Sequence, residues 1–237
     1  MKKVVVLSGA GMSAESGVAT FRDAGGLWEG HDIMQVASPE GWSKDPSLVL
    51  EFYNQRRRQL HQVQPNAGHL AIAALEEEVA EVCVITQNVD NLHEKAGSSK
   101  VIHLHGELLK VRSTKNPSLV YSWEKDLVQG DTCELGSQLR PHIVWFGEQV
   151  PELYRAAIEI QSADAVLVVG TSMQVYPAAG LVAYAPEDAR LYYIDPKPQI
   201  NFELSLRNNL LVIEEMAGTG VPKAIGQLLK KGGEPLL

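Results

Sequence analysis

Two histidines, His103 and His105, stand two residues apart at the end of the apolar stretch Val101-Ile102, just before Gly106. In an extended chain side chains alternate, so the two imidazoles share one face. An imidazole titrates near neutrality and suits general-base work, yet a strand histidine is as often a satisfied structural group. A second polar cluster, Thr86-Gln87-Asn88-Val89-Asp90-Asn91-Leu92-His93, follows the apolar run Val79–Ile85. Its amides and carboxylate could grip a hydroxyl-rich ligand or serve as helix caps. On the segment from Pro46 onward, Val49, Phe52, Tyr53, Arg56 and Leu60 recur at helical spacing, so a phenol and a guanidinium three residues apart share the inward stripe. A guanidinium fixed in a pocket offers paired donors to a carboxylate, whereas one snorkelling to the surface does no chemistry.

These groups need a frame, and the frame starts at the strand Val4-Val5-Val6-Leu7, which ends in Gly9-Ala10-Gly11-Met12-Ser13-Ala14-Glu15-Ser16-Gly17. A buried strand breaking into spaced small residues predicts a phosphate-binding turn that feeds a helix from about Ser13. The spacing is G-x-G with the next glycine six residues on, and Asp23 lies in a loop, so the hydride-transferring dehydrogenase pattern is not matched. Downstream, a helix from Pro65 to about Glu78 precedes the strand Val79–Ile85. Further strands are expected at 101–106, 165–169, 191–194 and 210–213, with a helix after Pro177 and a closing helix over 221–229. Alternating strands and helices indicate an α/β fold with a doubly wound, mostly parallel sheet. Residues 31–63 look like a helical insertion, and the core pattern lapses again between Leu109 and Leu139, an excursion from the sheet.

With 237 residues, 45% hydrophobic, the chain can bury a large domain plus a small satellite. A formal net charge of −8 argues against nucleic acid as partner. No apolar run nears the roughly 20 residues of a membrane span, and Lys2-Lys3 leads directly into a strand, so a cytoplasmic protein without membrane partners is expected. With two cysteines, one inside Val82-Cys83-Val84-Ile85, no disulfide framework is expected.

Taken together, six stretches resemble the sirtuins, the NAD-dependent protein lysine deacylases. They are the glycine turn 9–17, Thr20-Phe21-Arg22, Thr86-Gln87-Asn88-Val89-Asp90, His103-Leu104-His105-Gly106, Val144-Trp145-Phe146-Gly147-Glu148 and Gly170-Thr171-Ser172, in the family's order. The resemblance implies a Rossmann-like domain from 1–30, 64–108 and 139–237, and a small domain built from the insertions 31–63 and 109–138. It implies NAD as a consumed co-substrate and acylated lysine on proteins or peptides as substrate. Gly9, Ala10 and Gly11 would hold the pyrophosphate, with Glu15 and Ala217 on the same cofactor surface, and Phe21 and Arg22 would close over it. Gln87, Asn88 and Asp90 would line the ribose and nicotinamide pocket, Gly170, Thr171 and Ser172 the adenosine side, and Asp195 the adenine ribose. His105 would be the general base, with Asn88 and Asp90 orienting cofactor and water. The implied reaction is attack of the acyl oxygen on the nicotinamide ribose, loss of nicotinamide, and transfer of the acyl group to ADP-ribose.

The same resemblance places Val144, Phe146, Gly147 and Glu148 against the substrate backbone as an added strand, with Phe146 covering the lysine stem. Tyr53 and Arg56 resemble the Tyr-x-x-Arg of sirtuins that remove succinyl and malonyl groups, and Ala37 the small residue that leaves room for a longer acyl chain. Other readings stay open: an oxidoreductase, an ADP-ribosyltransferase, or a non-catalytic NAD or acyl-peptide binding module. Two departures stand out. The Cys-x-x-Cys pairs that hold structural zinc in most sirtuins are absent, so no zinc is expected, with Leu119, Tyr121, Trp123 and Leu127 packing the small domain instead. Ala19 stands where the family commonly has proline.

Overall fold

A computed structural model of the chain describes residues 2–18, 27–28 and 30–230. Phe21, Arg22 and Ala19 lie outside the described residues. The frame is a six-stranded, wholly parallel sheet of β1 (Lys3–Ser8), β4 (Glu81–Thr86), β5 (Val101–His103), β9 (Ala165–Val169), β10 (Arg190–Ile194) and β11 (Leu210–Ile213). Their order is β11-β10-β9-β1-β4-β5, so successive connections run one way from β1 and then reverse to β9 on its other side. That reversal opens a crevice beyond the carboxyl ends of β1, β4 and β9, the place where open α/β sheets bind ligands. Val4, Val5, Val6 and Leu7 are wholly buried because helices cover both faces of the sheet.

The glycine turn does not continue into an α-helix at Ser13. It forms two single 3₁₀ turns, Ala10–Met12 and Ala14–Ser16, and Gly17 ends the second at φ +90°. The Gly11 N–H donates to the Gly170 carbonyl at 2.8 Å, and the Met12 and Ser13 N–H groups close back on the Gly9 and Ala10 carbonyls, three residues earlier. The segment after Pro177 is likewise 3₁₀, Ala178–Tyr184. The closing helix α8 (Ala217–Leu229) begins four residues before the expected Val221. A side chain 203 residues away caps it: Glu15 Oε2 accepts the Gly218 N–H at 2.6 Å.

The expected strand over 101–106 is two elements. β5 stops at His103, and Gly106, at φ +83°, turns the chain into β6 (Gly106–Ser113). Any β-carbon there would lie 2.0 Å from the His142 carbonyl oxygen, so only glycine fits. With β7 (Val120–Ser122) and β8 (Leu139–Ile143), β6 makes an antiparallel sheet ordered β7-β6-β8. The excursion therefore has regular structure and starts at Gly106, three residues before the expected 109.

A hairpin of β2 (Leu27–Trp28) and β3 (His31–Asp32) leads into helices α1 (Ile33–Val36), α2 (Pro39–Lys44) and α3 (Pro46–Leu60). The side chain of Asn54 on α3 both donates to and accepts from the backbone of Leu127, at 3.0 and 2.9 Å, and the wholly buried Arg57 donates to the Leu108 carbonyl at 3.1 Å. Leu50, Val111, Leu127, Cys133 and Leu139 form the core between α3 and the antiparallel sheet, with Leu119, Tyr121 and Trp123 packed on it.

Candidate active site

At the crevice, two backbone turns interlock. Gly9 N–H donates to the Val169 carbonyl at 2.9 Å, and a β-carbon on Gly9 would stand 2.7 Å from the Thr171 β-carbon. Gly170 has φ +58°, and a β-carbon on it would stand 2.3 Å from the Met12 nitrogen. The glycines at positions 9, 11 and 170 are thus required by chain packing on chain, a reason the spacing did not reveal. The resulting cleft holds about 920 Å³ and is lined by Gly9, Ala10 and Gly11 on one side and Gly170, Thr171 and Ser172 on the other.

After β4, Gln87 Nε2 donates to Thr171 Oγ1 at 3.0 Å and ties the third strand end to the same floor. Ser13, which the sequence reading gave no separate role, joins two expected site residues. Its hydroxyl donates to Asp90 Oδ2 at 2.9 Å and accepts from Asn88 Nδ2 at 3.1 Å. Burial pushes the Asp90 carboxyl above its usual value, while the Leu92 N–H and the Ser13 hydroxyl pull it back. Asp195, at the end of β10, is 2% exposed, lines the cleft and accepts the Lys197 N–H at 2.8 Å.

The two histidines that share a face in sequence separate by role. Both nitrogens of His103 meet acceptors, Nδ1 the Asn88 carbonyl at 3.1 Å and Nε2 the Glu94 carboxylate at 2.7 Å. Burial opposes its charge, but Glu94 and the carbonyl outweigh it and raise its pKa, and both ring nitrogens of His103 are committed. His105 lies at the corner between the two sheets, where its Nδ1 faces the Gln87 carbonyl at 3.1 Å. A carbonyl only accepts, so Nδ1 carries the proton and Nε2 the lone pair. Burial lowers the His105 pKa against the pull of that carbonyl, and the ring, which lines the cleft, is neutral at pH 7. The geometry leaves a lone pair on Nε2 of His105, whereas both nitrogens of His103 are engaged.

The opposite wall comes from the helical insertion and the segment after β8. Ala37, Tyr53, Arg56, Val144, Phe146, Gly147 and Glu148 all line the cleft. Arg56 is half-buried, with its guanidinium carbon 3.4 Å from the centre of the Phe52 ring and Nη1 donating to the Phe52 carbonyl at 2.6 Å. Tyr53 is wholly buried, which pushes its phenol pKa upward, and its hydroxyl accepts from Trp145 Nε1 at 3.0 Å.

The Val144–Glu148 segment is not a bare edge. Val144 N–H goes to the His105 carbonyl and Phe146 N–H to the Ala37 carbonyl, each at 2.9 Å. The Glu148 carboxylate is held inward by Arg140 at 2.7 and 3.0 Å, Arg112 at 3.0 Å and the Trp145 N–H at 2.9 Å. Phe146, 43% exposed, is the member of the segment that offers an apolar face.

Glu15 and Ala217 do not line the cleft; Glu15 caps α8 from behind it. Val18, Trp145, Val175, Tyr176 and Met216 line the cleft without having been expected. Trp145 lies inside the 144–148 motif and Tyr176 follows 170–172 by four residues, so membership of or adjacency to a motif was the signal that could have found them.

Zinc does not fit the residues present. Cys133 Sγ stands 3.3 Å from Ser113 Oγ and 3.1 Å from Ser137 Oγ, and those hydroxyls lie 2.8 Å apart. One thiol among hydroxyls is not a tetrahedral zinc set, and among the described residues no three His, Cys, Asp or Glu side chains gather to hold a metal. No helix among the described residues is long and apolar enough to cross a membrane.

A topological switch point floored by interlocked glycine turns, with a neutral imidazole on one wall and a guanidinium on the other, defines a Rossmann-like nucleotide-binding α/β protein. The chain belongs to the Sir2 family, whose model matches residues 9–177. A Helicobacter pylori (strain J99) protein named NAD-dependent protein deacylase is 55% identical over 237 residues, covering 100% of both chains. A Bacteroides thetaiotaomicron protein of the same name is 51% identical over 97% of this chain and 98% of its own. Among solved structures, a Sir2 homolog in complex with NAD superposes with a TM-score of 0.83 at 38% identity, covering 97% of this chain and 91% of the other. A Sir2 protein with 2′-O-acetyl-ADP-ribose and a deacetylated p53 peptide gives 0.76 at 28%, covering 94% and 93%.

Proposed function

We propose that this protein removes acyl groups from protein lysine side chains with NAD as consumed co-substrate, releasing nicotinamide and O-acyl-ADP-ribose. The observation that carries the reading is the fixed tautomer of His105, whose Nε2 lone pair is available in the same cleft as the glycine floor. NAD supplies the ribose carbon that accepts the acyl oxygen and the nicotinamide that leaves. Gly9, Ala10 and Gly11 cradle the pyrophosphate, and Asp195 reads the adenine ribose. Asn88 and Asp90, locked together through Ser13, shape the nicotinamide side, and His105 takes a proton from a ribose hydroxyl. Membership in the family and relatives named deacylases support this over an oxidoreductase or a passive binding module.

The acyl group favoured is succinyl or malonyl over acetyl. Arg56 and Tyr53 support this, because a guanidinium braced by Phe52 and a buried phenol provide fixed donors for a terminal carboxylate. The small domain is built from the insertion 31–63 and the excursion that starts at Gly106, held by its apolar core and the Cys133–Ser113–Ser137 cluster in place of zinc. The test is nicotinamide release with matched acetyl, succinyl and malonyl peptides. Release that depends on acylated peptide, and that collapses in His105→Ala while NAD still binds, is expected. Label from NAD remaining on protein, or NAD surviving as a reduced product, would replace the proposal with a transferase or an oxidoreductase.

A further inference from the structure

Two buried histidines stand outside the chemistry assigned to the cleft. His69 is 0% and His93 1% exposed, and their rings meet edge to face with centroids 4.8 Å apart. The hydrogen-bond network fixes both tautomers. The Asn66 N–H donates to His69 Nδ1 at 3.3 Å, so that nitrogen holds the lone pair and the ring proton sits on Nε2. Ser8 gives its one hydroxyl proton to Thr86 Oγ1 at 2.9 Å. His93 Nε2, 3.0 Å from Ser8 Oγ, must therefore donate to it, which leaves the lone pair on His93 Nδ1. The two remaining atoms, His69 Nε2–H and His93 Nδ1, have no partner among the described residues. One is a donor and the other an acceptor on touching rings, so a small ring rotation or one bridging water completes both.

This directed chain ends in the site. Thr86 Oγ1 also accepts the Asn88 N–H at 3.0 Å, and Ser8 and Thr86 are the last residues of β1 and β4. A hydroxyl oxygen has two lone pairs, and the proton received from Ser8 decides which one is left for Asn88. We infer that His93 is a positioning residue for Asn88, acting through Ser8 and Thr86, with the His69 ring packed edge to face against it. Burial keeps both rings neutral, as the chain demands. The inference rests on the reading of Asn88 as a group that shapes the nicotinamide side of the pocket.

The test measures kcat/KM for NAD in nicotinamide release. His93→Phe and Ser8→Ala should each lower it on the order of tenfold, with the peptide KM unchanged and the double variant no worse than the poorer single one. His93→Gln, whose amide returns an N–H near the Nε2 position, should recover most of the loss. Nitrogen-15 spectra should show both imidazoles neutral with the proton on Nε2. Wild-type kinetics in Ser8→Ala, equal losses in His93→Gln and His93→Phe, or a His93 proton on Nδ1 would each overturn the inference. Ser8→Ala removes a single oxygen and decides the matter if His93→Phe does not fold. Asn88→Ala separates the two layers. If it leaves nicotinamide release intact, the reading of Asn88 fails and the inference with it. If Asn88→Ala is impaired while Ser8→Ala and His93→Phe are normal, the inference alone fails.

Discussion

Replacing Arg56 with methionine tests whether the cleft recognises a charged acyl group. Methionine keeps an unbranched apolar stem but loses the guanidinium, which is held by the Phe52 ring at 3.4 Å and the Phe52 carbonyl at 2.6 Å. A side chain braced in this way loses little freedom on binding, so most of its electrostatic attraction reaches the substrate. Two unit charges 4 Å apart attract by about 4 kcal/mol at an effective dielectric of about 20, and desolvation of the carboxylate takes back part of it. A net of about 2–4 kcal/mol remains for a charge-assisted pair in a half-buried site. At about 1.4 kcal/mol per decade, kcat/KM for succinyl peptide should fall roughly 30- to 1000-fold in Arg56→Met, with the acetyl peptide changed little. Arg56→Lys, which keeps the charge but not the planar fork, should fall between. The assay is nicotinamide release with succinyl and acetyl peptides of one sequence. If both substrates lose the same factor, Arg56 supports the wall and does not read the acyl group.

Three further outcomes are expected. Gly170→Ala forces a side chain onto φ +58° and against the Met12 nitrogen, at a cost on the order of 3 kcal/mol. The melting temperature should then drop by about 6–12 °C, and an unchanged melting curve would contradict the interlocked turns. His69 is held neutral in the fold, its pKa lowered from 6.5 to about 4 by burial. Between those values the unfolded chain binds the extra proton, so this stability is complete above pH 6.5 and is lost as pH falls. Urea unfolding should show about 2 kcal/mol less stability at pH 5 than at pH 7 from this group, a slope reduced in His69→Gln; equal slopes in both proteins would refute it. Elemental analysis of purified protein should find no stoichiometric zinc, and one tightly held ion per chain would overturn the account of Cys133, Ser113 and Ser137.

The parallel strands were readable because a strand buried on both faces is a short apolar run bounded by turn residues, as at 4–7 and 165–169. The polar motifs at their carboxyl ends were readable for a related reason: chemistry-bearing residues at strand ends interrupt an otherwise apolar pattern. Helix boundaries were less legible. The glycine turn reads as feeding a helix from about Ser13, but the Gly11 N–H is drawn to the Gly170 carbonyl, 159 residues away in sequence, and the Met12 and Ser13 N–H groups close tight local turns. The start of α8 was missed because its cap, Glu15, comes from the other end of the chain.

By itself, the sequence determined the sheet, the order of the motifs and the set of side chains from which the site is made, since these follow from local periodicity and residue type. Only the tertiary structure decided what each side chain is free to do. His103 and His105 are equivalent in sequence, yet Glu94 engages Nε2 of one while the Gln87 carbonyl leaves the other its Nε2 lone pair. Arg56 and Arg57 are adjacent, yet one faces the cleft and the other, wholly buried, pins α3 to the Leu108 carbonyl. Hydrogen-bond partners and burial set protonation and availability, and both come from residues far apart in the chain.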